Sequence, residues 1–301
     1  MIYLLLSVLC SGLLVFMFKV FDRCNIVAYP AIVFNYITCI VCGLLNSSAS
    51  PIETATASAH AEWLWLAVAM GIFFIHVFSI TGVTAVKFGV TTASVAMKLG
   101  LVIPVGLAFL VYHEEVTWYK IVGIICALVA VVLSSKKEES EDAKHEKLSG
   151  LVLFLPAVVL ISSGMCDSGA QLANKLYFSN GGADYFVLVI FTFAALTGLS
   201  YMAYHITKGH YKLHWNQVAG GLALGIPNYG SMLFLMKALT HIEGGSSVVF
   251  PINNIATVAC STLLSVIFFK EKLNNYNKLG LVFAFLCILL INWANLMKLL
   301  N

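Results

Sequence analysis

The chain has 301 residues, of which 60% are hydrophobic and only 10% charged, with a mean hydropathy of +0.92 and a formal net charge of +3. Soluble domains carry about 25% charged residues, so this chain has too little polar surface to face water. A cytosolic enzyme, a secreted domain and a nucleic-acid binder are therefore excluded as first readings. Lipid is the expected solvent, and no nucleic-acid partner is expected.

Apolar runs fall at 2–20, 27–45, 62–84, 90–111, 119–134, 150–176, 184–206, 215–239, 244–269 and 278–298. A spanning helix takes about 20 apolar residues, so these predict ten transmembrane helices. The runs are continuous rather than alternating, which argues against barrel strands. Residues 2–20 lack a basic leader and a small-residue cleavage site, so they read as a retained first span. Seven of the eight cysteines, among them the Cys39–Cys42 pair, lie inside apolar runs; Cys24 alone sits near a loop. Cysteine in such runs behaves as a small hydrophobe, so no disulfide, redox site or metal site is expected.

Residues 136–147, KKEESEDAKHEK, form the one highly charged block, close to the midpoint. Around it the sequence repeats with an offset of 157: Leu107/Leu264, Glu114/Glu271, Tyr119/Tyr276, Gly123/Gly280 and Ala127/Ala284. Each set closes the fourth helix of its half, makes an acidic turn and opens the fifth. Ser11-Gly12 and Ser163-Gly164 echo one another in the first and sixth helices. Five helices per half is an odd number, so the second half is inverted relative to the first. The expected fold is an all-α integral membrane protein of two inverted five-helix repeats: residues 1–135, a linker at 136–148, and 149–301. Inverted repeats of this kind are common in secondary transporters, which bind substrate near mid-membrane.

On the repeated Glu-and-Tyr-x-x-x-Gly junction and the 5+5 plan, the sequence resembles the drug/metabolite transporter superfamily and its EamA-type ten-helix members. The resemblance implies a secondary transporter of small metabolites, without a cofactor, in a cell membrane such as the bacterial inner membrane. Two alternatives stand beside it: a flippase for a lipid-linked carrier, and an intramembrane protease. The protease reading rests on Gly244-Gly245-Ser246, but its base, His241, sits at a helix end. No phosphate-binding loop is present, so ATP drive within the chain is not expected.

Ionisable groups in hydrocarbon cost at least ~2.5–3.5 kcal/mol at a helix centre, and so tend to face protein or a wet cavity. Lys98 in the fourth helix is the sharpest case, a cation suited to an anionic substrate group. Ser163, Asp167, Gln171 and Asn174 share one face of the sixth helix, with Asp167 a partner for Lys98 or a carrier of the coupling proton. Pro251 breaks the ninth helix just before Asn253 and Asn254, with Thr257, Ser261 and Ser265 continuing one face. Asn35, Tyr36, Asn228 and Tyr229 are further candidates, and His76 is a second proton-coupling candidate. The substrate-binding set is thus Lys98, Asp167, Gln171, Asn253, Asn254, Asn35 and Tyr229. Gly221 and Gly225 have the spacing of a close helix contact.

Lys19, Arg23, Lys87, Lys136, Lys137, Lys144, Lys147, Lys208, Lys212, Lys270, Lys272 and Lys278 fall on one side, twelve in all, against Lys120, Lys175, Lys237 and Lys298 on the other. The positive-inside rule then places both termini outside, whereas the family is usually drawn with both inside; we follow the charge count. Substrate identity, transport direction and oligomeric state are not legible.

Overall fold

Ten helices account for nearly all the described residues of the computed structural model, and no strand occurs among them. The described residues are 1–46, 56, 58, 60–104, 106, 117–134, 154–177, 184–209, 212–241, 246–291, 293 and 297. The charged linker, Glu114 and the Gly244-Gly245 pair lie outside them. The helices are α1 (Ile2–Arg23), α2 (Ala28–Asn46), α3 (Leu64–Phe88), α4 (Val90–Leu99), α5 (Trp118–Ser134), α6 (Leu155–Tyr177), α7 (Asp184–Thr207), α8 (Trp215–His241), α9 (Ser246–Phe269) and α10 (Asn275–Ile291). Six are long and apolar enough to cross a membrane: α1, α2, α3, α7, α8 and α9. Shorter apolar helices fill the other four places. Trp65, Trp118 and Trp215 stand exposed in the first turns of α3, α5 and α8, as interfacial anchors do. All eight cysteines are free.

The chain forms two compact units, each drawing on both halves of the sequence. One holds residues 1–19, 80–165 and 231–301; the other holds 20–79 and 166–230. Lipid is as apolar as leucine, so helices in a membrane are held by close packing and small residues rather than by the hydrophobic effect. The glycines supply that closeness, and their partners obey the repeat.

In the first unit, a Cβ at Gly123 of α5 would lie 2.8 Å from the Ile291 side chain of α10. One at Gly280 of α10 would lie 2.8 Å from the Ser134 backbone of α5. The two helices therefore lie antiparallel, with equivalent glycines in equivalent seats. Ala127 and Ala284, another repeated pair, are both fully buried in the cluster around this seam. Gly12 of α1 seats on Cys260 and Ser261 of α9, while Gly164 of α6 seats on Gly100 and Ile103, just past α4. First and sixth helices thus pack on ninth and fourth, which are equivalents across the repeat.

The second unit repeats the logic. Gly71 of α3 seats on Ile190 and Phe193 of α7. Gly221 and Gly225 of α8 seat on the α2 backbone, with Cβ positions 2.8 Å from the Ala31 carbonyl and 2.7 Å from the Asn35 carbonyl. Here the third helix packs on the seventh and the eighth on the second. Around Gly71, Leu66, Ala67 and Met70 of α3 cluster with Phe186, Val189 and Ile190 of α7.

Helix ends are closed by side chains. Asn274 and Asn277 form a reciprocal box at the start of α10: the Asn277 N–H donates to Asn274 Oδ1 at 2.7 Å, and the Asn274 N–H to Asn277 Oδ1 at 3.2 Å. The Ser134 carbonyl at the end of α5 accepts from Thr92 Oγ1 at 2.6 Å and from Asn277 Nδ2 at 2.7 Å.

The fourth helix departs from the sequence expectation of a run over 90–111. Its first segment stops at Leu99, a turn follows at Gly100 and Leu101, and helix resumes over 102–104. Pro104 has no N–H for the carbonyl four residues back, which is that of Gly100. The Ile103 N–H takes that carbonyl instead, at 2.8 Å.

Gly280→Ala tests the α5–α10 seam. The atoms it meets are backbone and cannot swing aside, so it should destabilise the protein by about 1–3 kcal/mol. Gly106, with nothing within 4 Å of its Cβ position, should tolerate alanine. Thermal unfolding in detergent compares the two; equal melting temperatures would count against the seam.

Candidate functional site

In the first unit, polar side chains gather along α9. Asn253, Thr257, Ser261 and Ser265 recur every four residues, so they share one helix face, and all four are buried. Ser7 of α1 stands over the upper end of this stripe: its hydroxyl lies 3.2 Å from Asn253 Oδ1 and 3.0 Å from the Ser231 carbonyl. At the other end, Ser265 Oγ lies 3.4 Å from Thr91 Oγ1 of α4.

Helix α4 runs antiparallel to α9, since Glu271 just beyond α9 meets Gly89 just before α4. Counting 1.5 Å per residue from the Thr91–Ser265 contact puts Ser94 level with Ser261 and Thr262. The same count puts Lys98 level with Thr257 and Val258. Ser94 Oγ and Thr257 Oγ1 are buried hydroxyls with no hydrogen-bond partner among the described residues. Buried polar atoms are normally paired, so two open hydroxyls beside a lysine mark space for water or a polar ligand.

Lys98 is half-buried and sits in the last turn of α4. The carbonyl end of a helix carries partial negative charge, which favours a cation there. The turn at Gly100 and Leu101 places Lys98 at the end of the first segment of this helix. Asn254, next to the stripe, is half-buried.

The second unit holds a separate polar cluster. Asn228 Nδ2 of α8 donates to Asn35 Oδ1 of α2 at 3.1 Å, and the Cys39 thiol approaches the Gly225 carbonyl at 3.5 Å. Asn35 Nδ2 and the Tyr36 hydroxyl are buried donors with no acceptor among the described residues. Tyr36 lies between Phe78 and Phe191, each ring 6.0 Å away. Tyr229, one residue past Asn228, is half-buried.

The remaining candidates divide. Asp167 of α6 and His76 of α3 are exposed, and both belong to the second unit, whereas Lys98 belongs to the first. Ser163 is buried, its hydroxyl donating to the Leu160 carbonyl at 3.1 Å. The side chains of Gln171 and Asn174 lie outside those described. Lys237, near the end of α8, stands over the Tyr3 ring at 5.7 Å, a cation–π contact.

Three features escaped the sequence. Pro227 lies inside α8 directly before Asn228. That is the same proline-then-asparagine signal that singled out Pro251 and Asn253, so the rule existed to find it. Ser7 had no signal, because a serine in an apolar helix gains meaning only from its partner. Gly89 also had none; its φ of 97° appears only in the fold.

Comparison with known proteins matches residues 1–136 to the EamA-like transporter family. An uncharacterized protein of Haemophilus influenzae is 29% identical over 288 residues, which cover 93% of this chain and 94% of that protein. The two are of nearly the same extent, so the similarity runs through both halves. With ten apolar helices whose packing follows an inverted repeat, residues 1–136 are an EamA-like transporter domain of the drug/metabolite transporter superfamily, in a multi-pass membrane protein.

Proposed function

We propose that this protein is a secondary transporter that moves a small anionic or zwitterionic metabolite, amino-acid-like in its polarity, by alternating access across a bacterial cell membrane. The observation that carries the reading is the open polar face of the first unit. Thr257, at the level of Lys98, and Ser94, one turn away, have no hydrogen-bond partner among the described residues, an arrangement that suits a solute carrying a negative group and hydrogen-bonding atoms. Lys98 would hold the anionic group as a point charge with three donors. Asn253 and Asn254, which lie in continuous helix through Pro251 where the sequence had suggested a break, would offer donors and acceptors to the rest of the solute.

Asn35 and Tyr229 would add polar contacts from their own unit. Gln171 belongs to the same proposed substrate set. Asp167 and His76 would serve as the proton-coupling residues. The two halves of the sequence, 1–135 and 149–301, would act as the two repeats of the transport cycle. No cofactor is invoked, because electrochemical gradients supply the drive.

The purified protein should be screened by thermal unfolding against amino-acid-like and anionic metabolites. A solute at about 100 times its Kd stabilises the folded state by about 2.7 kcal/mol, which is a shift of about 5–10 °C. Lys98→Ala should remove at least about tenfold in affinity, or about 1.4 kcal/mol, and abolish uptake while keeping its own melting transition. A Lys98→Ala protein stabilised as well as the wild type would refute the role of Lys98. Stabilisation by lipid-linked carriers alone would overturn the soluble-solute reading.

A further inference from the structure

Glu271 has no part in the substrate face, yet the fold surrounds it with groups that respond to its charge. It lies in the turn between α9 and α10, opposite the N-terminus of α4. Gly89 is the residue before α4, with φ 97° and ψ 159°, and α4 has no side-chain cap of its own. Glu271 Oε1 occupies the space that a Cβ at position 89 would fill. The Val90 N–H donates to the carboxylate. A helix therefore begins at a residue that only glycine adopts without strain, and its cap is supplied from a turn 182 positions away in sequence (271 against 89).

The remaining contacts split between the two protonation states. Lys19 of α1 and the positive end of α4 favour the ionised form. Burial disfavours it, and burial prevails: the Glu271 carboxyl is held above its ordinary value, with Ser265, Lys19 and the Val90 N–H pulling the other way. Ser265 can serve either form. Turned to Glu271, its one hydroxyl proton supports the carboxylate. Turned to the Thr262 carbonyl, 2.8 Å from its oxygen, it leaves Ser265 free to accept from a protonated carboxyl. Glu271 Oε2 is fully buried and has no partner among the described residues, the place where an added proton would sit. The other charges nearby in sequence, Lys87 at the end of α3 and Lys270 and Lys272 beside Glu271, are exposed and act through water.

We propose that Glu271 is a proton-binding site of this transporter: its carboxylate clamps the N-terminus of α4, and its neutral carboxyl releases it. Taking up one proton from water removes one negative charge. The helix terminus and Lys19 then lose their partner, and Ser265 turns from donor to acceptor. Because Lys98 sits in the last turn of the same ten-residue helix, the state of Glu271 bears directly on the element that carries the substrate cation. The proposal deepens the transporter reading and rests on it for its meaning. Its test does not depend on any solute.

Hydrogen exchange should be followed in peptides covering Val90–Leu99, in detergent, from about pH 8 to about pH 4, a range that brackets a raised carboxylate. Rates are corrected for the intrinsic pH dependence of exchange. In the wild type, exchange in the first turn of α4 should rise about tenfold as the pH falls through the Glu271 transition. Glu271→Gln should exchange fast across the whole range with no step. Lys19→Met, which leaves the carboxyl in place, should move the step to higher pH. A flat wild-type profile would overturn the proposal, as would the same step persisting in Glu271→Gln, or no movement in Lys19→Met. A step seen in a protein for which no transported solute is found would leave the proton site standing and the transporter reading in question.

Discussion

Hydrocarbon offers no hydrogen bonds and no hydrophobic reward for burying one helix against another. Every backbone polar group must be satisfied within its own helix, and helices must be held by contact distance alone. In this chain the contact distance comes from glycine. Gly123 and Gly280, Gly12 and Gly164, and Gly71 and Gly221 each let one helix approach another to backbone range. In every one of these contacts a helix of the first half meets a helix of the second. The inverted repeat is therefore a packing rule as well as a sequence pattern. For these glycines the seat is provided by the other half, whereas Gly82 seats on Phe18 of its own half.

The same constraint explains where the polar residues go. A hydroxyl or amide facing lipid would be left unsatisfied, so Ser7, Asn253, Thr257, Ser261 and Ser265 turn inward, and most find carbonyls or one another. Among the residual open groups, Ser94, Thr257 and Thr262 in one unit and Asn35 and Tyr36 in the other require an explanation other than packing. Short α4 joins the two lines of argument. A turn at Gly100 and Leu101 interrupts the helical run just after Lys98, and Gly89 starts it without a cap, which gives Glu271 its place at the positive end. One helix thus presents a cation at one end and answers to a carboxylate at the other.

Most of the architecture was legible in the sequence because lipid imposes so plain a pattern: the apolar runs, the repeated Tyr-x-x-x-Gly and the spacing of Gly221 and Gly225 each reappear as helices or seats. The break at Gly100 was legible only in part. Pro104 is visible in the run, but a proline acts on the carbonyl four residues earlier, and an apolar run does not show that carbonyl's alternative partner. Asn253 was found by its proline and Asn228 was not recognised as its analogue, though Pro227 precedes it in the same way. Ser7 and Gly89 could not be found, since one needs a partner from a distant helix and the other a backbone angle. The exposure of Asp167 and His76 also lay beyond the sequence, because periodicity fixes a shared face and not the surroundings of that face.

The central claim is that the Asn253–Ser265 face of α9 opens to water during transport while the opposite face stays in lipid. Single cysteines should be placed at Asn253, Thr257 and Ser261, and at Leu263 and Val266, in a background lacking the eight native cysteines, and exposed in membranes to a water-soluble maleimide. Labelling at the first three and none at Leu263 and Val266 is the expected pattern. Equal labelling of both sets, or none at the polar positions under any pH or solute condition, would contradict it.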